Sequence, residues 1–275
     1  MSRLLSNKRL PYLVLGIAFL VTVAYVLTVL PGRSAPSAQT AAPTPSPAVH
    51  SDGLSDSHEG YLIKGVKLPE ARGKAIPVAF QVFGPDGKPL TEYETVQAKA
   101  MHLFLVRDDI SGYQHLHPVF AGDTWSTTVD VLDGGSYRFY AEFTPKGWVA
   151  AHPIILGMPF VITGDTRLAP LPAPAATSDT GKYVVRRMDG TDHLIAGRGA
   201  LLRFEVPGAV LEPYLGSIAH MSAFEVRTQG LVHLHPAAGE LVFHTQFPYR
   251  GEYRLFLEFQ VGGEVQRAAF TVLVT

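Results

Sequence analysis

The sequence predicts an all-β protein: two tandem immunoglobulin-like or cupredoxin-like β-sandwich domains after an N-terminal transmembrane helix. Three observations lead there. Short runs rich in β-branched and aromatic residues, such as PVAFQVFG, MHLFLVR, YRFYAEF and PFVITG, are punctuated by turn signals such as GPDG at Gly84 to Gly87. No stretch after the first 57 residues sustains a helical period, because Gly or Pro interrupts nearly every candidate. Finally, AMHLFLVRDDISGYQHLHP at Ala100 to Pro118 returns 118 residues later as IAHMSAFEVRTQGLVHLHP at Ile218 to Pro236, and GSYRFYAEF at Gly135 to Phe143 returns 116 residues later as GEYRLFLEF at Gly251 to Phe259. A repeat at near-constant offset reads as one domain duplicated.

The elements follow in chain order. From Leu10 to Leu30 there are 21 residues without a charge, enough to span a hydrocarbon core of about 30 Å as a helix. Arg3, Lys8 and Arg9 precede the run and only Arg33 follows closely, so the N-terminus is expected in the cytoplasm and all that follows outside, on a single-pass signal-anchor in the cell membrane. The competing reading is a cleaved signal peptide, for which SAPSA at Ser34 to Ala38 offers small residues; the product would then be secreted. Signal-peptide apolar regions run to only about 7–15 residues, which favours the anchor. Residues 31–57 are a spacer whose Pro, Ala, Ser and Thr cannot build a core. The first sandwich is placed at 58–165, a linker containing LAPLPAPAA at 166–180, and the second sandwich at 181–275, each near the roughly 100 residues of an immunoglobulin-like domain. A parallel α/β fold would need crossover helices, and none is legible.

Composition narrows the chemistry. Lys plus Arg number 23 against 24 Asp plus Glu, a net charge of -1, which excludes a nucleic-acid binder relying on counterion release. There is no Cys, so disulfides, thiolate zinc sites, iron–sulfur clusters, blue-copper centres and Cys nucleophiles are all excluded. What remains for metal chemistry is the 11 histidines.

Both copies carry His, twelve residues, then His-Leu-His-Pro: His102, His115 and His117 in the first, His220, His233 and His235 in the second. On a strand, residues i and i+2 share a face, so His115 and His117 project together. The segment between is short enough for a hairpin that brings His102 across from them, provided that no bulge at Gly112 or Gly230 slides the register by one residue. In that register three imidazoles converge with an open fourth position, suited to Cu(II) or Zn(II), one ion per domain. The bland reading is that a His-x-His on an edge strand is simply solvated, or pins a turn through a backbone carbonyl. His58, His152, His193 and His244 have no counterpart in the other copy. Met101 and Met221 alternate away from the neighbouring His and read as core; Tyr137 and Tyr253 as packing residues or tyrosine corners; Arg138 and Glu142 as a same-face pair; and Asp108–Asp109 as a solvated hairpin tip. No nucleophile arrangement, phosphate loop or nucleotide fingerprint is present, so no catalytic residue is assigned and the protein is read as a non-enzyme.

Through MHLFLVRDD, GYQHLHP and GGSYRFYAEFTPKG in the first half, and AHMSAFEV, VHLHP and GEYRLFLEF in the second, the chain resembles a family of exported bacterial tandem β-sandwich proteins with repeated HLHP motifs, some of them labelled heavy-metal-associated. The resemblance covers most of the exported region. It implies a β-sandwich fold, an extracytoplasmic location and metal at the six histidines named above. The likeness to cupredoxins is architectural only, since their Cys ligand has no equivalent. The expected function is therefore a membrane-tethered, extracytoplasmic metal-binding protein serving buffering, delivery or tolerance, with copper ahead of zinc. The alternative is a structural or interaction module of the cell envelope that meets a protein partner without metal. Nothing in the sequence sets the oligomeric state.

Overall fold

The computed structural model describes residues 51–275 except Ala151, His235 and Ala238. The apolar run 10–30 and the spacer through His50 therefore lie outside the described residues, as does the candidate ligand His235. Among the described residues there is no helix, and seventeen strands form four sheets.

The first sandwich comprises β1 (Ser57–His58), β2 (Tyr61–Lys67), β3 (Gly73–Phe83), β4 (His102–Arg107), β5 (Gln114–Leu116), β6 (Val119–Ala121), β7 (Thr124–Val131), β8 (Gly135–Phe143) and β9 (Ile154–Ile162). Its two sheets run β1-β2-β3-β7-β6 and β5-β4-β8-β9. The second comprises β10 (Thr177–Asp179), β11 (Val184–Arg187), β12 (Gly199–Glu205), β13 (Ala219–Glu225), β14 (Leu231–Leu234), β15 (Val242–Gln246), β16 (Gly251–Val261) and β17 (Glu264–Val274), in sheets β10-β11-β12-β15 and β14-β13-β16-β17. The two His-bearing sheets have the same strand order, with His115 and Leu116 on the edge strand β5 and His233 and Leu234 on the equivalent edge strand β14.

Alternation explains what each sandwich buries. Leu103 and Leu105 of β4 join Phe139 and Ala141 of β8 and Leu156 of β9 against Val78, Phe80, Val82 and Trp125 of the facing sheet. Met221 and Ala223 of β13 join Leu255, Leu257 and Phe259 of β16 in the second core. Met101 and Met221 are core residues, 1% and 0% exposed. Tyr137 and Tyr253 each donate a hydroxyl hydrogen bond to a carbonyl four residues upstream, Asp133 at 3.0 Å and Tyr249 at 3.1 Å, which is the tyrosine-corner geometry.

The opposite faces of these sheets are also buried. Phe104, Val106, Ile110, Tyr113, Tyr140 and Ile155 from the first sandwich pack with Phe224, Leu231 and Phe256 from the second in a third apolar cluster. Tyr113 stacks flat on Phe256, ring centroids 4.0 Å apart. The His-bearing sheets thus meet face to face, which is why every residue of β4 and β13 is buried. Residues 51–56 run along this seam: Ser51 Oγ accepts from Ile155 N at 2.7 Å, the Asp52 carbonyl from Leu231 N at 2.9 Å, and the Ser55 carbonyl from Gly157 N at 2.8 Å. Gly157 is required there, since a Cβ would stand 1.8 Å from the Gly53 carbonyl oxygen.

Asp109 and Arg138 depart from what the sequence suggests. Asp109 is not a solvated tip: its side chain is 4% exposed, paired with Arg107 at 3.3 Å, and accepts from Ala169 N at 2.7 Å, pinning the linker. Arg138 and Glu142 share a face but do not pair, because four residues of strand separate them by about 13 Å. Arg138 donates instead to the Leu54 carbonyl at 3.2 Å, and Glu142 accepts from His233.

Candidate metal centre

The register of the first hairpin is the favourable one. β4 and β5 pair Leu103 with Leu116 and Phe104 with His115, so His102, His115 and His117 lie on one face, the face turned to the second sandwich. One nitrogen from each lies within 4.8 Å of the others, and His102 Nδ1 is 3.1 Å from His115 Nε2. In the second hairpin Ser222 opposes His233 and Met221 opposes Leu234, which puts His220 and His233 on the corresponding face. Read from sequence as one site per domain, the two sets meet in a single seam: His102 lies 5.5 Å from His233 and 6.2 Å from His220 between ring centroids, and His115 lies 6.0 and 6.1 Å from the same two rings.

The partners of these rings fix their tautomers. His102 Nε2–H donates to the Val96 carbonyl at 3.2 Å, from a tight turn closed by mutual backbone bonds between Val96 and Lys99. His220 Nε2–H donates to the Tyr214 carbonyl at 3.0 Å, from the equivalent turn closed by Tyr214 and Ser217. Each neutral ring therefore carries its lone pair on Nδ1. His115 Nδ1–H donates to Glu258 Oε2 at 2.7 Å, and His233 Nδ1–H donates to Glu142 Oε1 at 2.7 Å, leaving the lone pairs of these two on Nε2. The short contact between His102 Nδ1 and His115 Nε2 is thus a meeting of two lone pairs. His117 Nε2 is buried and has no hydrogen-bond partner among the described residues.

The two His–Glu pairs cross the seam in opposite directions, and they are the same pair in the repeat: His115 matches His233 and Glu142 matches Glu258. Arg267, opposite Glu258 on β17, holds its other oxygen at 2.8–2.9 Å; the position opposite Glu142 on β9 is Ile155. Neither glutamate is legible from sequence as part of the site, although both stand in the repeated GxYRxxxEF motif and that repetition is the available signal.

Burial dominates the electrostatics. Desolvation, then the neighbouring His233, lowers His102 to about 4. The same two causes bring His220 to about 4, and desolvation brings His233 to about 4. His115 falls well below its ordinary value through burial and the crowd of imidazoles around it, and His117 falls to about 2 for the same reasons. Burial raises Glu258 against the pull of Arg267. At neutral pH the rings are therefore uncharged, the state in which an imidazole donates a lone pair.

A family model matches residues 59–158 and again 177–275, one match per sandwich, under the description domain of unknown function, DUF8832. The chain belongs to this family. No curated protein matches it. Among solved structures it is similar to a segment of two fibronectin type-III domains from chicken tenascin, with 11% identity over 76% of this chain and 98% of that one and a TM-score of 0.25. The fibronectin(III)-like modules of Clostridium thermocellum CbhA match at 6% identity over 78% and 94% of the two chains, TM-score 0.24. The Escherichia coli adhesin FdeC matches at 13% identity over 82% and 65%, TM-score 0.25. The architecture above therefore stands on this chain's own strand pairing.

Proposed function

We propose that this DUF8832 protein is a membrane-tethered, extracytoplasmic metal-binding protein, with copper favoured over zinc, acting in buffering, delivery or tolerance. The observation that carries the metal reading is the approach of two lone-pair nitrogens, His102 Nδ1 and His115 Nε2, to 3.1 Å with His117 beside them. Left alone, that contact is repulsive; a shared cation makes it attractive. The separation lies between the about 2.9 Å of two nitrogens at right angles on one ion and the about 3.4 Å of a tetrahedral pair, for bonds of about 2.0–2.1 Å. It suits Cu(II) and Zn(II) alike, and the preference for copper rests on the greater affinity of Cu(II) for nitrogen donors. Outward N–H groups tied to a carbonyl or a carboxylate are what metal-ligating histidines use to fix ring orientation. The tether and the location rest on the uncharged run 10–30 and the basic residues before it.

Calorimetric titration of the full chain in detergent with CuSO4 or ZnSO4 tests this. Saturable binding is expected, weakened at least 100-fold by His115→Ala and within twofold of native for His244→Ala, an exposed residue of β15. Absence of saturable heat at micromolar protein would leave the envelope interaction module as the better account.

A further inference from the structure

We infer that the metal centre is a joint product of both sandwiches, so that an ion held by His102, His115 and His117 is oriented from the second sandwich by Glu258 and, once bound, locks the seam between the domains. The inference rests on the metal-binding reading and extends it from a hairpin to the whole exported region.

The ligand His115 takes its orientation from outside its own domain. Its Nδ1–H donates at 2.7 Å to Glu258 of β16, a carboxylate 2% exposed and itself braced by Arg267. Arg267 also donates to the Tyr113 carbonyl at 3.1 Å, two residues before His115, so one arginine ties the second-sandwich carboxylate to the ligand strand. The reciprocal pair, His233 with Glu142 at 2.7 Å, makes the dependence mutual. Around these polar groups the seam is lined by aromatic rings: Phe104 stacks on His115 with centroids 4.5 Å apart, and Tyr113, Phe224 and Phe256 pack further out. An apolar surround keeps water from competing and strengthens every charge interaction inside it. Separating the sandwiches would remove Glu258 from His115, let the ring turn and admit water, so the docked state is the one with high affinity. By linkage, a ligand that prefers the docked state stabilises it. Glu258 is thus a positioning residue, not a ligand.

The test is copper affinity of the full chain in detergent, set by competition with a chelator of known strength, for native protein, Glu258→Gln, Glu142→Gln and the exposed control Glu264→Gln. Removing a carboxylate that orients a ligating imidazole lowers metal affinity about 10–100-fold. Glu258→Gln is expected to do so with a changed Cu(II) electron paramagnetic resonance spectrum, which a general loss of stability would not produce, and Glu264→Gln to match native. Should Glu258→Gln fail to fold, hydrogen exchange on the native chain decides: adding CuSO4 should slow exchange in β13, β14 and β16 together with β4 and β5. A native chain that binds copper while Glu258→Gln keeps its affinity within twofold, or while protection stays within the first sandwich, overturns the joint centre and leaves metal binding standing. A native chain that binds no copper overturns both.

Discussion

Acid should unfold the metal-free protein in a window set by the seam. His102, His220 and His233 move from an ordinary value of 6.5 to about 4 on folding. Between those values the unfolded chain holds protons that the folded chain refuses, so stability is fully present above about pH 6.5 and is lost as pH falls toward 4. Each ring contributes a slope of about 1.4 kcal/mol per pH unit inside the window, and a full displacement of about 2.5 units is worth about 3 kcal/mol. His115 and His117, lowered further still, add to the slope in the same direction. The other three rings alone would steepen the curve to about 4 kcal/mol per pH unit near pH 5, against a total folding stability of about 5–15 kcal/mol. Their sum is smaller than three separate shifts, because His233 is itself among the causes for His102 and His220. Glu258 works with the opposite sign, since its raised carboxyl takes up a proton earlier in the folded chain and offsets part of the slope. Urea unfolding in EDTA at pH 7, 6, 5 and 4.5 measures this directly. A midpoint that drops steeply below pH 6 is expected, and His220→Gln should remove about one proton's share of the slope. A stability that stays flat from pH 7 to 5 would refute the burial of neutral imidazoles in the seam.

Three further outcomes are expected. Gly157→Ala places a methyl 1.8 Å from the Gly53 carbonyl, so it should cost about 1–3 kcal/mol or more in a denaturant melt; an unchanged melt would mean that residues 51–56 do not lie against β9. Arg107→Met leaves Asp109 buried without its cation and frees the Arg167 carbonyl that Arg107 holds at 3.0 Å, for an expected loss of about 3–5 kcal/mol and faster proteolysis of the 166–176 segment. Tyr113→Phe strands the buried Ser222 hydroxyl, now 3.1 Å from the Tyr113 hydroxyl, at a cost of about 1 kcal/mol that adding Ser222→Ala should largely recover; strict additivity of the two changes would show that they do not interact.

The strands were legible because alternation is a local property. GSYRFYAEF places Tyr137, Phe139 and Ala141 on one face and Arg138, Tyr140 and Glu142 on the other whatever else the chain does. The convergence of His102 with His115 and His117 was legible up to a register that a hairpin loop alone does not decide, and the structure resolves it through Phe104 opposite His115. What the sequence withheld was the partner of the second face. Sequence alone sets Glu142 against Arg138, on the same face of its strand, whereas its partner His233 stands 91 residues away on the other domain. A signal was nonetheless present in HLFLVR of β4: an antiparallel strand with one wet face should alternate, and a strand apolar on both faces is covered on both.

Duplication explains why the chemistry collects at that hidden face. When two copies of one domain meet through the same sheet, each contact from residue i to residue j is matched by one from j to i, as in an isologous dimer. A histidine and a glutamate that pair across the seam are therefore obtained twice, as His115 with Glu258 and His233 with Glu142. Fusing the copies removes the constraint that both halves stay identical, and the seam has used that freedom in compensating pairs. Tyr113 donates to Ser222 on one side, while their counterparts Leu231 and Phe104 sit in the same apolar cluster with no hydroxyl to satisfy. Arg267 braces Glu258, while Ile155 stands opposite Glu142. The imidazoles and carboxylates have stayed symmetric where their neighbours have not, which is the pattern expected if the polar cluster, rather than the packing around it, is what the paired domains exist to hold.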